Sequence, residues 1–74
     1  MDIRLIIRIH QLILDQRTGK PKDLAERLGV SERSVYNYIG YMKNNLNAPI
    51  VYEALKQSYY YESKCEFNFE GNKF

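Results

Sequence analysis

Between Ser31 and Lys43 the chain reads SERSVYNYIGYMK, a run rich in groups that recognise other molecules by hydrogen bonding. At about 100° per residue, a helix over this run turns Val35, Tyr38, Ile39 and Met42, with Leu46 beyond, to one side. Arg33, Tyr36, Asn37, Gly40 and Asn44 fall on the other. A face that needed only solubility would be filled with Glu and Lys, whereas this one offers a guanidinium, a phenol and an amide. Arginine can take guanine O6 and N7 together, and asparagine can take adenine N6 and N7. Ser31, Ser34 and Lys43, with Lys56 further along, carry the hydroxyls and ammonium groups that suit phosphate oxygens. Glu32 is discordant, because a carboxylate repels phosphate, although an acid in a first helical turn complements the helix dipole. Gly40 costs about 1 kcal/mol of helix stability against alanine. It marks either a close approach of a backbone or sugar-phosphate strand, or a position that simply tolerates glycine.

Catalytic chemistry is poorly supplied. The chain has one histidine, His10, and one cysteine, Cys65, with no clustered carboxylates and no glycine-rich phosphate loop. Neither an enzyme, nor a metal site, nor a cofactor is expected. His10 falls among apolar residues and reads as a half-buried core residue. A lone cysteine excludes an intramolecular disulfide and a cysteine-based zinc site, reads as a small apolar residue, and fits a reducing compartment.

The elements that must position these groups are short. Ile3, Ile6, Ile7, His10, Ile13 and Leu14 share one face of a helix over about 2–16, and Leu5, Ile9 and Leu12 form a second stripe beside it. Charged Arg4, Arg8 and Asp15 interrupt the apolar residues, which excludes a signal peptide or a membrane span there. Pro21 opens a second helix over about 21–28, since its missing N–H is unpaired in a first turn anyway. Leu24, Ala25 and Leu28 form its inner face. Gly29 suits the left-handed conformation that stops it, and Ser31 caps a third helix over about 31–46. Two β-branched and aromatic runs, about 50–54 and 58–62, flank Lys56-Gln57-Ser58 as a hairpin, with Tyr59 to Tyr61 alternating between core and surface. Residues 65–70 alternate Cys65, Phe67 and Phe69 with polar residues as a third strand. The core is expected at Ile6, Ile13, Leu24, Leu28, Val35 and Ile39.

A chain of 74 residues with a formal charge of +2 is expected to form one domain over 1–74. At this size only about 60% of the unfolded surface is buried, so a deep cleft is not expected. Residues 1–48 hold eight Lys and Arg against five Asp and Glu, and residues 49–74 three against four, so the positive charge lies with the helices.

Ala25, Gly29 and Val35, four and six apart, with Leu24, Leu28, Val30 and Ile39 around them, look like a helix-turn-helix. A small residue lets two helices cross closely, glycine makes the turn, and a branched residue locks the second helix on the first. LAERLGVSERSVYNYI resembles the helix-turn-helix type 11 family of small winged-helix domains in bacterial transcription regulators, whose recognition helix follows GVS. NAPIVYEALKQSYYYES resembles the wing, without the glycine often found in its turn, and Asn37 stands where the family often has arginine. The resemblance implies a mainly α fold with a small antiparallel β wing, an α+β three-helix winged helix-turn-helix. It also implies sequence-specific binding of double-stranded DNA by a small transcriptional regulator, cytoplasmic and at the bacterial nucleoid. The alternative is a winged-helix protein-interaction module that does not bind DNA. The second stripe on the first helix calls for a cover: the tail with Phe67 and Phe69, or a second copy in a homodimer through Leu5, Ile9 and Leu12.

Overall fold

The computed structural model describes residues 2–64, so the third strand expected over 65–70 lies outside the described residues. Helix α1 spans Ile3–Leu14, α2 Pro21–Leu28 and α3 Glu32–Asn45; β1, Ile50–Glu53, and β2, Ser58–Tyr61, follow. This is the three-helix, α+β winged architecture.

Capping residues set each boundary. Asp2 lies outside α1 as its N-cap: the carboxylate accepts the Arg4 N–H at 2.9 Å and binds the Arg4 guanidinium at 3.2 Å. Its own N–H donates to the Tyr38 hydroxyl at 3.0 Å, tying the start of α1 to α3. The far end of α1 comes two residues earlier than the sequence suggests. Gln16 takes a left-handed φ of 53°, with Arg17 N–H bonded to Leu12 O and Gln16 N–H to Ile13 O, both at 3.0 Å. That pair of bonds satisfies the terminal carbonyls without a glycine. Gly29, at φ 71°, ends α2 in the same way, with Val30 N–H on Ala25 O.

The core gathers Ile6, Ile9 and Ile13 of α1, Leu24 and Ala25 of α2, Val35, Ile39 and Met42 of α3, then Ala48, Ile50 and Tyr59. Leu28, expected at its centre, is half-buried against its edge. The two stripes of α1 do not divide as the sequence suggests. Ile9, assigned to the outer stripe, is 0% exposed, whereas Ile3 and Leu14, assigned to the core face, are 50% and 56% exposed. Leu12 also packs on the core. The buried arc is centred between the two stripes, at roughly the direction of Ile9 and Ile13 on a 100°-per-residue wheel. The reason is tertiary: α1 packs against β2 as well as within the helical layer, and a helix held from two sides buries a wide arc about its middle. Of the three residues expected at a homodimer seam, Ile9 is buried inside the chain, while Leu5 and Leu12 are half-buried.

The wing is antiparallel, with Ile50 opposite Tyr61, Val51 opposite Tyr60, Tyr52 opposite Tyr59 and Glu53 opposite Ser58. Its turn closes through Gln57 N–H on Ala54 O at 3.2 Å, and Gln57 itself takes a left-handed φ of 51° in place of a glycine. Ser58, read from the sequence as a turn residue, is 1% exposed. Its partner is Thr18, 0% exposed, from the α1–α2 connection. The Thr18 Oγ1 accepts the Tyr59 N–H at 2.9 Å, lies 3.1 Å from Ser58 Oγ, and donates to Gly19 O at 2.9 Å. This buried set fixes the wing to the helices. On its flank the Tyr61 hydroxyl meets His10 Nδ1 at 2.7 Å, and burial holds the imidazole below its ordinary pKa.

Candidate nucleic-acid interface

The third helix begins where Ser31, in an extended conformation, lends its Oγ to the Ser34 N–H at 3.1 Å. The Ser31 hydroxyl proton goes to Ser34 Oγ at 3.0 Å, which leaves the Ser34 hydroxyl proton to point to an outside acceptor. The Ser31 hydroxyl is thus engaged with Ser34 both as acceptor and as donor.

Arg33, Asn37 and Lys43 are exposed, and their side chains make no hydrogen bond or ion pair within the described residues. With Tyr36, 52% exposed, they occupy one face of α3. From Arg33 to Lys43 that face is about 15 Å long at 1.5 Å per residue. Gly40 lies midway along it, and a Cβ placed there would meet nothing within 4 Å. Among the described residues no neighbour requires the glycine, and none makes the backbone approach that the sequence offers as one reading of it.

Tyr36 is anchored at its tip. Its hydroxyl donates to Glu32 Oε2 in a long 3.4 Å hydrogen bond, one helical turn back. Partial burial first, then the Glu32 charge and this hydrogen bond, raise the phenol above its ordinary pKa. The wing supplies the next ring. Tyr52, 38% exposed, meets Tyr59 edge-on with ring centroids 5.0 Å apart and an interplanar angle of 66°. Tyr59 is 6% exposed, and burial, followed by the influence of Tyr36, Tyr52 and Glu32, pushes its hydroxyl up to about 12. Glu32 and Tyr36 of α3 and Tyr52 of the wing thus all bear electrostatically on the Tyr59 hydroxyl.

Lys56 is placed elsewhere. It sits exposed in the wing turn, its Nζ 3.4 Å from Gln16 Oε1 and 6.0 Å above the centre of the Tyr60 ring. The structure links it to the α1–α2 connection, while the other six residues singled out in the sequence lie on α3 or its cap. Tyr52 escaped the sequence reading as a member of this surface. Its signal was the strand alternation that puts it on the same side as Ile50.

Groups suited to catalysis do not converge. Among the described residues no three His, Cys, Asp or Glu side chains come together as a metal site. The open hollow beside the end of α1, lined by Ile13, Leu14, Gln16, Tyr61, Glu62, Ser63 and Lys64, holds no paired carboxylates. No helix of the described residues is long and apolar enough to cross a membrane.

An exposed polar face on a helix that follows a glycine turn, beside a two-stranded hairpin docked on the same core, defines a winged helix-turn-helix module. The model of the helix-turn-helix type 11 family, described as an HTH domain, matches residues 6–61, and the chain belongs to that family. Membership points to DNA as the ligand class of α3. No curated protein and no solved structure matches the chain.

Proposed function

We propose that the protein binds double-stranded DNA in a sequence-specific way and serves as a small transcriptional regulator at the bacterial nucleoid, with α3 lying in the major groove. The observation that carries this reading is the set of unengaged side chains on α3: Arg33, Asn37 and Lys43 are exposed on one face and satisfy no partner among the described residues. In this reading Arg33, Tyr36 and Asn37 meet base edges, Ser31 through Ser34, Ser34 itself and Lys43 meet phosphate oxygens, and Lys56 extends the phosphate contacts from the wing turn. Pairing of copies through Leu5, Ile9 and Leu12 forms no part of it.

Selection from randomised duplex DNA, followed by fluorescence anisotropy on the selected site, tests the placement. Arg33→Ala is expected to cost about 1–3 kcal/mol and to relax preference at one base pair. Lys43→Ala should weaken all duplexes alike and flatten the salt dependence by about 0.9 in slope, with the same signature for Lys56→Ala. If none of these changes alters duplex affinity at low salt, the surface recognises protein instead.

A further inference from the structure

Glu32 is a charged residue at the leading end of α3 that duplex binding does not so far use, and its position makes it conspicuous. It is the first helical residue after the Ser31 cap, at the end of a helix whose leading residues meet base edges when such a helix enters the major groove. No cation neutralises it, since the ion pair formed among the described residues is Arg4 with Asp2. Its carboxylate would raise the energy of any pose that brought a phosphate against the Glu32 side chain itself rather than against the Ser34 hydroxyl. A first-turn acid stabilises the helix dipole, but an aspartate or glutamate anywhere in that turn would do so, and the dipole asks for no partner on the side chain.

Glu32 has such a partner. The Tyr36 hydroxyl, one helical turn on, donates to Oε2 at 3.4 Å. That bond restricts the rotation of the carboxylate. An ionised carboxylate has about four lone-pair sites. One is taken by Tyr36, and Oε1 receives no hydrogen bond from the described residues.

In the major groove the bases present two amino groups to an acceptor, cytosine N4 and adenine N6. Adenine places its N7 acceptor beside the amino group, where a carboxylate would be repelled, while cytosine offers the donor without that neighbour. Resting on the duplex reading above, we propose that Glu32 is a specificity residue that selects cytosine by accepting the N4 amino hydrogen, with Tyr36 as its positioning residue. The same charge excludes misplaced registers in which a phosphate occupies its position, so Glu32 discriminates both by attraction and by repulsion.

The test is selection from randomised duplex DNA with the wild type, Glu32→Ala, Glu32→Gln and Tyr36→Phe, followed by anisotropy on duplexes in which the selected cytosine is N4-methylated. N4-methylation keeps the base pair and replaces the hydrogen that faces the groove. The wild type is expected to select a C·G pair at one position and to bind the methylated duplex about 5- to 10-fold less tightly. Glu32→Ala should lose that preference and its sensitivity to methylation, and Glu32→Gln should shift the preference to adenine, whose N6 and N7 a carboxamide can take together. Tyr36→Phe, which keeps the ring, should broaden the same position and bind the unmodified site about 2- to 3-fold more weakly. A Glu32→Ala variant that selects the wild-type site, or that remains sensitive to methylation, overturns the proposal alone. A folded wild type that selects no site overturns it together with the duplex reading.

Discussion

Replacing Thr18 with valine should loosen the wing without disturbing any exposed residue. Valine preserves the shape of threonine and removes one hydroxyl, at a position with 0% exposure. Three contacts go with it: the bond from Tyr59 N–H at 2.9 Å, the 3.1 Å contact with Ser58 Oγ, and the bond to Gly19 O at 2.9 Å. They are not equal. Ser58 Oγ keeps the Thr18 N–H at 3.3 Å and its own bond to Tyr59 O at 2.9 Å, and Gly19 is only partly buried, so water can reach its carbonyl. Tyr59 N–H is the group left buried without its partner, at a cost of about 1–3 kcal/mol. A chain of this length has about 4–11 kcal/mol of stability at 0.05–0.15 kcal/mol per residue, so the loss is substantial. It corresponds to a fall in Tm of about 4–8 °C per kcal/mol. Urea unfolding followed by circular dichroism reads it directly. Thr18→Ser, which keeps the hydroxyl and loses a methyl, should cost only about 1 kcal/mol. A double cycle with Ser58→Ala should show a coupling of about 0.5–3 kcal/mol. Should Thr18→Val be as stable as the wild type within about 0.5 kcal/mol, the hydroxyl does not anchor the wing and the account of the docking is wrong.

Two further outcomes follow from single residues. Gly40→Ala should stabilise the free protein by about 0.5–1 kcal/mol in the same unfolding assay, because the added methyl meets nothing within 4 Å; weaker duplex binding by this more stable variant would locate a sugar-phosphate strand against Gly40, and unchanged binding would show the glycine to be merely tolerated. His10 has a depressed pKa from burial, so its neutral form is favoured by folding; its contribution should be complete above about pH 6.5 and lost as pH falls through the lowered folded value, making the wild type lose more Tm between pH 7.5 and 5 than His10→Gln does.

The readable part of the sequence was the part governed by local rules. Gly29 and Ser31 announced their left-handed turn and their cap because each meets a need of the adjacent backbone, and the structure uses both in that way. Val35, Ile39 and Met42 were legible from period alone, since only one side of α3 is apolar enough to bury. The first helix was less so: with nine apolar or half-polar residues spread over more than half its circumference, period could not say which direction the other elements would occupy, and Ile9 was assigned outward. Thr18 and Ser58, forty residues apart, gave no signal at all, because small hydroxyl residues occur as readily in surface turns. At the interface, Arg33, Tyr36 and Asn37 could be sorted to one face from spacing. That Tyr52 would rest edge-on against the buried Tyr59 depends on where the hairpin docks, which is a property of the packed core.

The composition of this surface also decides what kind of binder it makes. Affinity for DNA of any sequence comes from counterion release, in proportion to the phosphates neutralised. Here the cations assigned to phosphates are Lys43 and Lys56, on a chain whose formal charge is only +2, and Glu32 works against them at the leading end of α3. Two such contacts correspond to a salt slope of only about −2. In the proposed reading, binding to random sequence is then weak and brief. The base-edge contacts of Arg33, Asn37 and Glu32 do not carry that penalty, because each is realised only on a matching base pair. In the proposed reading an acid in the recognition helix thus lowers affinity for non-matching sequences and adds a bond on the matching one, which raises the ratio between right and wrong sites, and in a genome crowded with competing sites that ratio governs occupancy.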